Sequence, residues 1–252
     1  VMPGFRIPQR FNNPALLPGA SIADALKADT GLLHWFQADA NHVTLRGNDI
    51  LSFNDRKDTA SKLTRSSDTT GATLVSEAFG DYSGARFNSS ESDRSLFSGD
   101  AQDLTQSFSW AGIATLRTLA ATSNLCGTFT SSSVRAILNV SPTTNAGKLQ
   151  FLYGSATCVG PTLELDTPFA FACGYDGTNI FLRVSGIASS VAAAGSPSLS
   201  AFALGALPGG SQFWDGDVGD LFMCNVALNT TDGATLLNKI KAYLKACYGA
   251  TL

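Results

Sequence analysis

Charge is scarce in this chain. Asp, Glu, Lys and Arg make up 15% of its 252 residues and the net charge is −3, against about a quarter charged residues in an ordinary soluble domain. No basic cluster supplies the phosphate-neutralising surface that nucleic-acid binding requires, so nucleic acid is not an expected partner. Histidine is limited to His34 and His42 and G-x-S-x-G is absent, which leaves a serine nucleophile without an obvious base. No two of Cys126, Cys158, Cys173, Cys224 and Cys247 stand at C-x-x-C spacing, so the strong zinc and redox patterns are missing. Their apolar neighbours, as in FACGY and FMCNV, read as settings for small buried hydrophobes. Their odd number points to folding in a reducing compartment. Apolar runs such as 202–207 are far shorter than the roughly 20 residues that cross a bilayer. No basic-then-apolar segment opens the chain, so a soluble protein without membrane insertion is expected.

What is present is apolar and turn-rich: 44% hydrophobic residues and 24 glycines, a balance suited to many short buried strands joined by tight turns. Residues 1–20, VMPGFRIPQRFNNPALLPGA, lack any periodicity and carry four of the nine prolines, which predicts an extended arm. Its Phe5, Ile7, Phe11, Leu16 and Leu17 are too apolar for a solvated linker and are the candidate partner-docking residues. SIADALKA then predicts a short helix with Ser21 as N-cap and Asp24 three residues on.

From about residue 31 to 228 the pattern is strand, turn, strand: LLHWFQAD, DILSFND, GARFN, SFSWAGIATL, VRAILNV, KLQFLYG, FAFACGYDG, NIFLRVSG, SAFALGAL and DVGDLFMCNVAL. Period-two alternation and even spacing predict a two-sheet antiparallel sandwich, an all-β fold in one domain over 21–252. Asp176-Gly177 and Pro208-Gly209-Gly210 mark turns that need positive φ. GIASSVAAAGSPS reads as loop. Leu236, Leu237, Ile240, Tyr243, Leu244 and Cys247 fall on one stripe of a closing amphipathic helix, capped by Thr230 or Thr231 and stopped by Gly249.

Three separated stretches resemble the laminin-G-like branch of the concanavalin A-like lectin/glucanase jelly rolls. GLLHWFQADANHVTLRGNDILSFNDR is similar to that family's opening strands, with Phe53 where a second tryptophan is usual. FACGYDGTNIFLRVSG resembles its Asp-Gly hairpin, with Ser185 replacing an Asn, and FWDGDVGDLFMCNVALNTTDGATLLNKIKAYLKACYG resembles the closing strand and helix. The resemblance spans 31–249 and implies a jelly roll, while saying almost nothing about ligand.

The chemistry-bearing candidates lie mostly in FWDGDVGD. Asp215, Asp217 and Asp220 read as acids of a solvated turn at a strand start. Their Asp-x-Asp-x-x-Asp spacing could also offer oxygen to calcium, although the twelve-residue loop with its bidentate Glu is missing. Some members of the resembled family bind calcium at the sandwich rim; no metal or other cofactor is otherwise expected. The family's glucanases carry Glu-x-Asp-x-x-Glu, and the nearest match here is Glu164-Leu165-Asp166, with Phe169 in place of the second Glu and Pro168 before it. The chain is therefore expected not to be an enzyme. If glycan binds, Trp214 with Asp215 and Asp217 is the leading site, followed by Tyr175, Asp176 and Asn179 on the hairpin. Trp35 and Trp110 are expected in the core, and His34 as a satisfied structural histidine. The reading these expectations form is a lectin-like bacteriophage virion protein of the tail or head decoration, assembled in the host cytoplasm. It would dock on virion proteins or copies of itself through the arm and bind a surface glycan. A secreted or cell-surface carbohydrate-binding module is the alternative.

Overall fold

The computed structural model describes residues 20–65, 71–89, 96–195 and 200–252. Residues 1–19 lie outside these, and with them the docking expectation for Phe5, Ile7, Phe11, Leu16 and Leu17. Helix α1 (Ala20–Lys27) leads to strands β1 (Leu32–Gln37), β2 (Val43–Arg46), β3 (Asp49–Asn54), β4 (Lys62–Arg65), β5 (Thr73–Phe79), β6 (Tyr82–Phe87), β7 (Phe97–Gln102) and β8 (Phe108–Ala114). There follow β9 (Ser123–Ser131), β10 (Val134–Val140), β11 (Lys148–Tyr153), β12 (Ala156–Thr162), β13 (Phe169–Tyr175), β14 (Asn179–Val184), β15 (Ile187–Ala192), β16 (Ser200–Leu204), β17 (Gly216–Cys224) and helix α2 (Ala234–Tyr248).

The fold is all-β and antiparallel. One sheet runs β1-β17-β8-β13-β14-β15, and the other β2-β3-β4-β7-β16-β9-β10-β11-β12. The pair β5–β6 bridges them at one corner, β5 meeting β3 at Asp49 and β6 pairing with the first three residues of β17. The two sheets thus form one nearly closed sandwich.

Strand β8 shows why there are three layers. It is buried along its whole length, because alternate side chains serve two cores. Phe108, Trp110 and Ala114 enter the core between the sheets, while Ala111 and Ile113 face the opposite way, into the core beneath α2. Trp110 is centred in the first, against Phe151 and Phe202. Trp35 belongs to the second, edge-on to Tyr243 at 4.9 Å. Leu236, Leu237, Ile240, Tyr243 and Leu244 supply the buried stripe of α2.

Several local expectations need correction. The stretch read as loop contains β15, an edge strand exposed along almost its whole length, so burial imposes no alternation to read. Strands β2, β4, β5, β7, β9 and β12 were likewise outside the sequence-predicted set; β12 carries Pro161 and pairs on one side only, the edge position where proline is tolerated. Helix α1 begins at Ala20, so Ser21 is inside it rather than capping it. Gly233, with no side-chain cap, precedes α2; Thr230 instead organises the turn before it, its hydroxyl donating to Ala227 O and accepting from Gly233 N. Gly249 ends α2 in the left-handed region as expected, at φ 65°.

Candidate functional site

The three acids of FWDGDVGD do not form a solvated turn. Asp215, Asp217 and Asp220 are 6%, 4% and 0% exposed, so each needs a partner. Their backbones explain the burial: Thr115 N donates to Asp217 O and Arg117 N to Asp215 O, which extends the β8–β17 ladder past the strand ends. Asp217 accepts from Arg86 Nε and Nη2 at 2.8 and 2.9 Å, a bidentate pair. Asp215 accepts from the Ser89 hydroxyl at 2.7 Å.

Asp220 turns elsewhere. The β17 register shifts between Val218 and Leu221, and beyond that shift its carboxylate faces the α2 layer, accepting from Trp35 Nε1 at 2.6 Å and from the Tyr248 hydroxyl. Burial pushes this carboxyl up to about 6, against the two hydrogen bonds that favour its ionised form. Around it Arg56 stacks on the Trp35 ring at 3.7 Å and donates to Gln37 Oε1 at 2.6 Å and the Tyr243 hydroxyl at 3.3 Å. Three carboxylates within one six-residue stretch are therefore committed to three different partner sets. Among the described residues no group of three or more His, Cys, Asp or Glu side chains is placed to hold a metal ion.

Trp214 is also not a platform. Its ring is 1% exposed and packs against Phe169 at 6.4 Å, so no indole face meets solvent. The second predicted cluster lies at the other end of the sandwich. Tyr175 pairs with Phe108 at the start of β8, whereas Val218 pairs with Ala114 at its end. Tyr175 stacks on Tyr153 at 4.7 Å and donates to Gly177 O. Asp176 Oδ1 accepts from the backbone N–H groups of Thr178 and Asn179, and its Oδ2 from Asn229. Burial tends to raise the Asp176 carboxyl, but the Asn179 N–H and Asn229 outweigh it and hold the group below the usual range. The hairpin turn is thus internally satisfied.

Two other expectations find their places. His34 Nδ1 pairs with Asp55 at 2.6 Å while the Trp35 and Lys57 N–H groups hold the other Asp55 oxygen; this is a satisfied histidine. Glu164 and Asp166 lie on the turn between β12 and β13, Asp166 at φ 56° and 3.7 Å from Arg117, not on a strand.

What sequence reasoning missed at the β17 end is Arg65. It closes β4 on the inner face, and its Nε, Nη1 and Nη2 are buried without a hydrogen-bond partner among the described residues; Trp214 Nε1 is in the same condition. The strand ends that meet here are Arg65, Phe97, Leu204, Phe87 and Gly216.

With the geometry in hand, the molecule can be set beside known ones. No family model and no curated protein sequence matches the chain. Among solved structures it is similar to Trypanosoma rangeli sialidase in complex with the inhibitor DANA, at 17% identity and TM-score 0.59 over 84% of this chain and 33% of that one. Domain 4 of AbnA, a GH43 extracellular arabinanase from Geobacillus stearothermophilus in complex with arabinotriose, matches at 15% identity and TM-score 0.56, over 81% of this chain and 97% of that domain. The binding domain of botulinum neurotoxin DC in complex with rat synaptotagmin II matches at 9% identity and TM-score 0.57, over 83% of this chain and 52% of that one. At these identities the likeness is one of fold alone, a β-sandwich.

Two functional expectations change. The statement that the chain is not an enzyme is overturned as it was framed, because its sialidase neighbours are enzymes; this chain spans about a third of each of the first of them. None of these neighbours is a virion protein, and the bacteriophage placement finds no support among them.

Proposed function

We propose that the chain is a glycan-binding β-sandwich domain of a protein that works on or attaches to carbohydrate. The observation that carries this reading is the near domain-for-domain correspondence with a unit whose solved complex contains arabinotriose, 97% of which is covered here. The sialidase neighbours point to the same class of ligand. The carbohydrate-binding module, secondary to a virion role in the sequence, becomes the preferred reading. The test is retention on immobilised glycans: the purified chain run through affinity gels holding arabinan, pectic and neutral β-glucan polymers. Retardation in at least one of them, abolished by the matching free oligosaccharide, is expected. Unretarded migration in every gel contradicts the reading.

A further inference from the structure

The outer face of the helix layer is not filled by the described residues. Between α1 and α2 lies an open groove of about 430 Å3, lined by Ile22, Ala25, Thr235, Asn238, Lys239 and Ala242. The α2 residues stand at i, i+3, i+4 and i+7, one stripe of that helix, and Ile22 and Ala25 are neighbours one turn apart on α1. Ala25 and Ala242 are short and exposed, which leaves space between the two stripes. Ile22 packs on the second core and is only partly covered, so the groove is an open extension of that core. Lys239, the charged residue among the six, already donates to Asp29 at 2.7 Å. The lining therefore offers apolar and small polar surface, and without an aromatic ring to carry a sugar it suits an apolar side chain better than a glycan.

The sequence immediately before α1 supplies such side chains. Residues 1–19 end where α1 begins, and their last six are Pro14, Ala15, Leu16, Leu17, Pro18 and Gly19. Pro-Gly is a turn dipeptide, placed here to reverse the chain ahead of the helix. The eight residues of α1 rise about 12 Å, a distance that about four extended residues cover. Leu16 and Leu17 are thus within reach of the groove. An apolar cavity of about 150 Å3 takes one benzene-sized group, and on that scale the groove holds both leucine side chains. Tethering gives the chain's own segment an effective concentration on the order of millimolar, above that of a second copy in dilute solution.

We propose that Leu16 and Leu17 of the chain's own N-terminal segment seat in the groove between α1 and α2 and clasp the two helices together. This inference stands independently of the glycan-binding reading.

Thermal melting of the full chain tests it, in a double-mutant cycle of Leu16→Ser/Leu17→Ser against Ala242→Glu. Ala242 is exposed and glutamate is a good helix former, so the second variant plugs the groove without unfolding α2. Each is expected to lower the melting temperature by about 3 °C or more, and their combination to lower it no further than the larger of the two. A leucine variant that melts like wild type overturns the inference. So does a combined loss equal to the sum of the two, because the leucines would then pack elsewhere. A wild-type melting temperature that climbs with protein concentration, while that of the leucine variant does not, would give the groove to the segment of a second copy and overturn the own-chain assignment.

Discussion

A carboxylate with no exposed surface, held by an indole and a phenol, has a stability signature opposite in sign to that of an ordinary salt-bridged acid. Burial lifts Asp220 from 3.8 to about 6, so the folded state holds this proton more tightly than the unfolded chain. Its contribution is fully present below pH 4 and is lost as pH rises through about 6. Asp29 and Asp39 run the other way: burial alone would raise them, but Lys239 and His42 outweigh it and lower them, so they lose stability on acidification. The difference between wild type and Asp220→Asn isolates the first effect. The variant is expected to melt higher than wild type at pH 7, with the gap closing towards pH 4. A constant gap in melting temperature across that range would contradict the assignment. Arg56→Ala, which loses the stack on Trp35 and two hydrogen bonds, is expected to cost about 2 kcal/mol in urea unfolding. At this scale Trp35 and Trp110 were legible as core residues because both stand in alternating apolar strands. The acids of FWDGDVGD were not, because the groups that permit their burial are remote in sequence; Trp35 and Asp220 are 185 residues apart.

At the scale of elements, the close contact between β8 and β17 constrains the sandwich. A Cβ on Gly112 would stand 2.2 Å from Asp220 O, a backbone atom that cannot yield without parting the two strands. Gly112→Ala is therefore expected to destabilise by about 3 kcal/mol, the upper end of the ordinary cost of overpacking, read as a lower midpoint in urea. An unchanged midpoint would mean that the strands are not packed as described. The buried-on-both-faces strands β8 and β13 were readable as apolar strands, whereas Asp217 and Asp220 hid the equal burial of β17. Edge strands were not: β15 buries almost nothing, so its sequence IASSVA carries no imprint of the sheet it joins. The ends of α1 and α2 fell within a few residues of expectation, which is where hydrogen bonding from neighbouring turns outweighs capping preference.

For the whole molecule, composition and strand spacing gave the class and the sandwich, and the closing helix supplied the second core. The placement of the two candidate clusters was not legible, because it depends on which strand ends coincide. Trp214 was the leading candidate and the Tyr175 hairpin the second, yet the β8 register sets them at opposite ends. Arg65 drew no notice in a segment of short edge-like strands, since its inward direction follows only from the β4–β7 pairing. The central claim is that the sandwich binds glycan. The most direct measurement is a backbone amide NMR titration of the isotope-labelled chain with arabinotriose and with the oligosaccharide of any polymer that retards it. The account predicts saturable shifts confined to one contiguous surface patch. No shift at any amide would contradict it.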